Sequence, residues 1–224
     1  MRLHIFGDPV VFLLGPVPVT GTMLVSAAVS VALVVAAGLL ARRVVRGSHD
    51  DWAILAILAV EWLDELVRGI VGRDHPRVAT LAGTLFLFIA ACNLAGQLPG
   101  LRPATGSLAT TSALAAVVFL AVPVAGIVRH GLAGYLGHYV RPNPLFLPLH
   151  LISELSRTIA LAVRLFGNIM SGHLVVGLLV ALAGFLVPTP MMALDVLIGL
   201  LQAYIFTVLA TVYIGAALGA EEGA

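Results

Sequence analysis

Charge is scarce in this sequence, lysine is absent, and cysteine occurs once. Only 10% of the 224 residues are charged, against roughly 25% in soluble domains, which excludes an ordinary water-soluble protein. The single Cys92 excludes an internal disulfide and a cysteine-based zinc site. The net charge of +1 gives no reason to expect nucleic acid as a partner.

Recognisable catalytic motifs are missing as well. The sequence contains no HExxH. The MSGH segment around Ser171 lacks the glycine two residues before the serine that a GxSxG nucleophile elbow requires. Haem ligation would have to recruit histidines from loops. We therefore predict a chain that is not catalytic by itself and that uses no metal or cofactor.

Long apolar stretches, in contrast, are abundant. Hydrophobic residues make up 60% of the chain and the mean hydropathy is +1.08, as in polytopic membrane proteins. A helix rises 1.5 Å per residue, so about 20 apolar residues cross a hydrocarbon core of ~30 Å. The sequence predicts an all-α polytopic fold in a single membrane domain, 1–224. Its membrane-embedded segments are residues 21–40, 78–95, 111–128, 149–186 and 191–218.

The last two segments are predicted to form a long helical hairpin, because residues 187–190 include two prolines that interrupt a helix. The segment 149–186 would reach roughly 55 Å, which is more than a perpendicular crossing needs. It is therefore either strongly tilted or partly horizontal in the bilayer. A steep tilt is what a helix would adopt if it followed the outside of a large cylindrical partner.

Residues 50–72 show a different pattern, with charged residues on one side of a helix and apolar residues on the other. The charged side comprises Glu61, Asp64, Glu65 and Arg68, and the apolar side comprises Trp52, Leu55, Leu58, Leu66 and Ile70. Two interpretations remain open. The segment is either an amphipathic helix on the cytoplasmic membrane surface or a water-facing helix packed on its own protein.

The arginines predict the orientation, because short cytoplasmic loops are enriched in Lys and Arg. If residues 42–46 lie inside, only Arg2 and Arg102 of the loop arginines lie outside. The arginines inside are then Arg42, Arg43, Arg46, Arg68, Arg73, Arg77, Arg129 and Arg141. We predict an outer N-terminus and a cytoplasmic C-terminus, in what the composition suggests is a bacterial inner membrane.

Arg164 lies within the apolar run 159–187, with no carboxylate near it in sequence. An arginine at the centre of a membrane helix costs roughly 2.5 to 3.5 kcal/mol on insertion scales. The guanidinium cannot lower this cost by losing its proton, because its pKa lies above about 12. A permanent charge in this position is therefore a candidate functional group.

Helical spacing places other polar residues around Arg164. At 100° per residue, Arg157 and Asn168 fall within about 40° of Arg164, whereas His173 is turned about 180° away. Glu154 lies about 15 Å from Arg164, towards the predicted cytoplasmic end. For Arg157, a side chain that snorkels to the inner surface is an equally good interpretation.

The last segment carries Asp195 and Gln202, which are seven residues apart and therefore share a face. Folding the hairpin brings Asp195 to the depth of His173, and Gln202 towards that of Arg164. Intramembrane ionisable groups usually line cavities or proton relays. His173 and Asp195 thus predict a hydrated proton pathway, with a purely structural buried pair as the alternative.

Three other polar residues carry simpler expectations. Asn93 and Gln97 end the second span, where an amide side chain ordinarily forms interfacial hydrogen bonds. Tyr213, near the end of the last segment, is expected to pack its ring and to keep its hydroxyl hydrated.

Three stretches of the sequence resemble a known family. RLFGN, residues 164–168, and QAYIF, residues 202–206, are similar to the two signatures of subunit a of the F-type ATP synthase, the stator channel subunit of the membrane sector. NLAGQLPG, residues 93–100, is similar to the family's stretch after the corresponding span. The resemblance covers about residues 52–219, and the first fifty residues match only by hydropathy.

The resemblance implies roles for the polar residues. Arg164 would be the essential stator arginine that faces the ring of c subunits. The half-channel open to the outer side would be lined by Asn168, His173, Asp195 and Gln202. Glu154 would lie by the half-channel open to the cytoplasm. Family members commonly hold an acid and a histidine at the positions of His173 and Asp195, in either order.

The same resemblance implies the function and the partners. The chain would couple the flow of protons, or of sodium ions, to ATP synthesis or hydrolysis elsewhere in the complex. Its partners would be the c-subunit ring, the peripheral-stalk b subunits, the rest of the ATP synthase and membrane lipid. The alternative is a stand-alone secondary ion transporter that uses the same buried residues. The sequence shows no internal inverted repeat of the kind that would favour a transporter.

Overall fold

The computed structural model describes residues 10–14, 17–47, 51–72, 75–98, 103–140, 147–184 and 187–219. Within these ranges lie the helices α1 (Gly21–Val45), α2 (Asp51–Val71), α3 (Pro76–Ala95), α4 (Leu108–Val140), α5 (Leu147–Ala183) and α6 (Pro188–Gly219). All except α2 contain a stretch long and apolar enough to cross a membrane. The prediction of an all-α polytopic membrane protein is confirmed.

Two short elements accompany the helices. Before α1, strand β1 (Val10–Leu14) pairs antiparallel with strand β2 (Val17–Thr20). The sequence analysis did not anticipate this hairpin, whose β-branched residues favour extended backbone. A single 3₁₀ turn, Ala104–Gly106, precedes α4.

The core lies between α3, α4, α5 and α6. Ile89 of α3, Leu165 of α5 and Phe206 of α6 are each 0% exposed and belong to one buried cluster, which Val118 of α4 also joins. Such interiors are close-packed, so the position of each helix restrains the positions of its neighbours. This cluster therefore fixes α5 against α6 and positions the polar residues that both helices carry.

The outer surface of the bundle is apolar. α1 has Thr22 as its one buried residue, and its Val31 and Val34 are 64% and 73% exposed. A helix that is apolar all round needs an apolar environment. The exposed side chains of α1 therefore suit contact with lipid.

α2 packs on the bundle and also presents apolar side chains outwards. Leu63 and Val67 are buried, and Val67 joins a cluster with residues of α3 and α6. Trp52, Leu55 and Leu58 are 67%, 56% and 54% exposed. Exposed apolar groups of this size favour the membrane-surface interpretation of residues 50–72 over a water-facing helix.

The turn between α5 and α6 lies earlier than predicted. The expected break at residues 187–190 is wrong, because α5 ends at Ala183 and α6 begins at Pro188. Proline fits the first turn of a helix, where the backbone N–H groups have no intrahelical partner. Gly184, with a φ of 71°, follows α5 and adopts the left-handed conformation that commonly ends a helix.

The third predicted span, residues 111–128, is part of a longer helix. α4 runs from Leu108 to Val140, and its backbone is non-helical at Gly131, where φ is 71° and ψ is 165°. Arg129 marked the expected end of the span, but the change of direction occurs two residues later. The reason is that glycine adopts a positive φ at little cost.

Candidate functional site

A buried carboxylate, Asp195, lies two turns into α6. Its side chain is 9% exposed, and its Oδ2 lies 3.9 Å from Nδ1 of His173 in α5. The same Oδ2 accepts a hydrogen bond of 2.7 Å from Nε2 of Gln97, just beyond the end of α3. The fold thus brings His173 and Asp195 together, as the helical spacing predicted, while the role of the pair stays a prediction.

The ring of His173 lies between two oxygen atoms. Its Nε2 is 3.3 Å from the carbonyl oxygen of Gly96. Because a carbonyl can only accept, this contact assigns the hydrogen to Nε2. Nδ1 is buried and has no hydrogen-bond partner in the described ranges. The ring therefore has a lone pair at Nδ1 that can take up a proton beside the carboxylate.

Gly172 permits the close approach of α5 and α6 at this point. A Cβ atom at position 172 would overlap Oδ1 of Asp195. Any other residue would therefore displace the carboxylate. The glycine lets the Asp195 side chain lie directly against the backbone of α5.

Asn93 joins three elements around the same site. Its Nδ2 donates to the carbonyl oxygen of Gly199 in α6 at 2.8 Å, and its Oδ1 accepts from Oγ1 of Thr105 at 2.6 Å. Both hydrogen bonds are buried. They hold α3 and the 3₁₀ turn to α6, one helical turn beyond Asp195.

Replacing Asn93 with alanine is expected to destabilise the protein by about 1–3 kcal/mol, because the buried hydroxyl of Thr105 loses its acceptor. Thermal unfolding of the purified protein in detergent measures this loss. Thr84→Ala is the matched control, since the exposed hydroxyl of Thr84 bonds only to the Thr80 carbonyl of its own helix. Equal melting temperatures for the two variants would contradict the role of Asn93.

The middle of α6 contains buried polar atoms that lack partners. Gln202 is 4% exposed and Thr207 is 0% exposed. Nε2 of Gln202 and Oγ1 of Thr207 form no hydrogen bond within the described residues. Thr211 is also buried and donates to the carbonyl of Thr207. Unpaired buried polar groups are costly, so this part of α6 is a candidate polar path.

Arg164 lies on the outside of the helix bundle. It is exposed, and the neighbouring Val163 is 53% exposed. Among the residues that the structure describes, none forms an ion pair or hydrogen bond with the guanidinium. Asn168, one turn further, is half-buried. A counter-charge for Arg164 must therefore come from outside the described part of this polypeptide.

A separate small cleft lies between α4, α5 and α6. Its polar lining consists of Glu154, Arg157, Thr158 and Tyr213. The Cζ atom of Arg157 lies 4.7 Å from the centroid of the Tyr213 ring, which is a cation–π contact. The sequence analysis had treated Arg157 as a snorkelling or functional residue and Tyr213 as a packing residue, and it missed their contact.

Gln97 is the site residue that the sequence analysis interpreted differently. It was expected to form an ordinary interfacial hydrogen bond, whereas it contacts the buried Asp195. One signal could have suggested the contact, since Gln97 and Asp195 both lie at the predicted outer ends of their spans. The signal was insufficient because span order alone does not say that α3 and α6 are neighbours.

A metal centre has no candidate in the described part of the chain. Within it, no group of three or more His, Cys, Asp or Glu side chains is placed to hold a metal ion. Cys92 is fully buried in α3. The polar chemistry of this region consists of hydrogen-bonding and titratable groups.

Comparisons with known proteins agree with one another. The family model for the ATP synthase A chain matches residues 22–215. The chain is 43% identical to ATP synthase subunit a 1 of Chlorobium luteolum, over 98% of this chain and 100% of that protein. It is 42% identical to ATP synthase subunit a 2 of Bradyrhizobium sp., over 93% of both chains. It is 50% identical to ATP synthase subunit a 1 of Chlorobaculum parvum, over 69% of both chains.

Proposed function

Because this chain belongs to the ATP synthase A chain family, which is subunit a of the F-type enzyme, we propose that its last two helices form two offset half-channels separated by Arg164. As subunit a it is not catalytic by itself and works in a complex with other ATP synthase subunits. It is a multi-pass integral membrane protein.

One observation carries the proposal: Arg164 is exposed on an apolar surface and has no partner within the described residues. A charge left facing lipid costs several kcal/mol. A neighbouring subunit must therefore cover it, and we assign this place to the ring of c subunits. A carboxylate on the ring would be held ionised beside the fixed positive charge, and cations would be repelled from a direct path between the half-channels.

The outer half-channel is assigned to the polar residues between α5 and α6. Asp195 and Gln202 are buried, as is the Nδ1 atom of His173, and each of these residues has a titratable group or an unpaired polar atom. Asn168 lies one turn from Arg164 on the same helix. Such groups sustain a hydrated path inside a membrane. The pair of titratable side chains supports protons as the ion that is carried. Selection of sodium ions would depend instead on ligands on the ring.

The cytoplasmic half-channel is assigned to the cleft that contains Glu154, with Arg157 held on Tyr213 at its wall. The cleft lies towards the end of α5 opposite to His173. This assignment agrees with the charge bias, which predicts an outer N-terminus and a cytoplasmic C-terminus in a bacterial inner membrane. The peripheral-stalk b subunits would hold this stator against the rotating ring.

Cross-linking tests the contact with the ring. In a Cys92→Ala background, Gly167→Cys is expected to form a disulfide with a cysteine placed beside the carboxylate of the c subunit. Gly167 is exposed, lies three residues beyond Arg164 and has open space at its Cβ position. The measurement is the yield of the cross-linked a–c species on a non-reducing gel.

Gly38→Cys in α1 is the matched control, because Gly38 is also exposed with open space around it. It is expected to give little cross-linking to the same c-subunit cysteine. The assignment of the ring to the Arg164 face is wrong if Gly38→Cys cross-links and Gly167→Cys does not.

A further inference from the structure

The function proposed above assigns no role to the hydrogen bond between Gln97 and Asp195. Gln97 is half-buried beyond the end of α3, and its Nε2 donates to Oδ2 of Asp195 at 2.7 Å. Hydrogen bonds to ionised carboxylates are the strong ones. A donor in this position fixes the orientation of the carboxylate.

One other titratable side chain lies beside Asp195 among the described residues. His173 of α5 is the only basic side chain within 4.0 Å of the carboxylate among the described residues. From α3 the neighbouring polar groups are amides, namely Gln97 and, one turn earlier, Asn93. Neither α2 nor α4 forms an ion pair with Asp195 in the described ranges. Asp195 and His173 are therefore the two titratable groups of this site among the described residues.

The contacts of His173 indicate which ring nitrogen carries a hydrogen in the neutral ring and which one can accept a proton. Nε2 faces the carbonyl oxygen of Gly96 at 3.3 Å, so it is the nitrogen that carries a hydrogen in the neutral ring. Nδ1 is buried, unpaired within the described residues and 3.9 Å from Oδ2 of Asp195. A proton on Nδ1 would lie next to the carboxylate that Gln97 holds in place.

We propose that Gln97 is a positioning residue that holds the Asp195 carboxylate beside Nδ1 of His173, so that a proton taken up at Nδ1 lies between the two side chains. The proton adds to the Nδ1 lone pair and produces an imidazolium between the Gly96 carbonyl and the Asp195 carboxylate. Its release restores the neutral ring with the hydrogen on Nε2. This inference rests on the outer half-channel proposed above and names the atom that carries the proton within it.

The test is the pH profile of ATP-driven proton pumping by the whole ATP synthase in inverted membrane vesicles. Gln97→Met keeps the length of the side chain and removes the donor. The carboxylate is then no longer held in place, so pumping is expected to slow by about tenfold and its pH profile to change, as expected for one lost charge-assisted hydrogen bond. Gln97→Glu is expected to slow pumping at least as much, because a carboxylate in place of the amide cannot donate a hydrogen bond to Asp195.

A double-mutant cycle separates positioning from a merely structural role. In an Asp195→Asn background, Gln97→Met is expected to cause no further shift of the pH profile. Leu94→Met is the control, since it adds methionine at an exposed position one turn earlier on α3. It is expected to leave the profile unchanged.

Each contrary outcome has a distinct meaning. If Asp195→Asn lowers pumping but both Gln97 variants keep the wild-type rate and pH profile, the role of Gln97 is overturned and the half-channel stands. If Asp195→Asn pumps at the wild-type rate with an unchanged profile, the half-channel and the role of Gln97 both fail. Should Gln97→Met fail to assemble, the profile of Gln97→Glu decides the question.

Discussion

Arg164→Ala is expected to abolish ATP-driven proton pumping. The exposed guanidinium has no counter-charge within the described residues, and its removal would leave the ring carboxylate without the charge that holds it ionised. It would also open a direct path for protons between the two half-channels. We expect a loss of at least about a hundredfold, which corresponds to ~2.7 kcal/mol at 1.36 kcal/mol per tenfold change. Fluorescence quenching by a pH-sensitive dye in inverted vesicles measures pumping.

Two further variants make the Arg164 experiment specific. Arg164→Lys keeps a positive charge but lacks the planar guanidinium and can lose its proton when buried, so a large loss is expected here too. Arg129→Ala removes an exposed arginine near the end of the membrane part of α4 and is expected to pump normally. Coupled pumping by Arg164→Ala at more than about a tenth of the wild-type rate would overturn the assignment.

His173→Ala and Asp195→Asn are expected to slow pumping by about tenfold or more, because positioned acid and base groups typically contribute 10²–10⁴-fold to proton transfer. Both changes should also alter the pH dependence of pumping, since each removes one of the two titratable groups at the site. Gly172→Ala should act in the same direction, because its methyl group would displace the Asp195 carboxylate. The measurements are the pumping rate at a series of pH values and the passive proton flux after removal of the catalytic part.

The control for these variants is Asp64→Asn, which neutralises an exposed carboxylate of α2. It is expected to retain the wild-type rate and profile. Passive flux and pumping that are unchanged in both His173→Ala and Asp195→Asn would remove these residues from the proton path. They would then be a buried pair of structural importance, the alternative that helical spacing left open.

Hydropathy predicted the main helices because the cost of exposing backbone polar groups in lipid makes a continuous apolar segment helical. The errors of this prediction concern where helices begin, bend and end. Pro188 was taken as part of a break, although proline is compatible with a first helical turn. The bend at Gly131 was missed, since a glycine within an apolar segment does not show whether its φ is positive.

Candidate site residues were predictable to different degrees. Arg164 could be found from sequence because a charge in an apolar run has a large cost that depends on no neighbour. The approach of His173 to Asp195 could be found because one hairpin and a fixed rise per residue determine depth. The contact of Arg157 with Tyr213 could not, since it depends on which faces of α5 and α6 meet.

The sequence by itself determined that this protein spans the membrane with helices, that it resembles subunit a, and that an uncompensated arginine lies in its fourth membrane segment. These properties follow from local composition and spacing, which the chain carries before it folds. Only the tertiary structure decided that Gln97 reaches Asp195, that Asn93 connects α3 to α6, and that Gly172 gives the carboxylate its room. Each of these contacts joins residues that are far apart in sequence, so it exists only once the packing of the core has set the helices side by side.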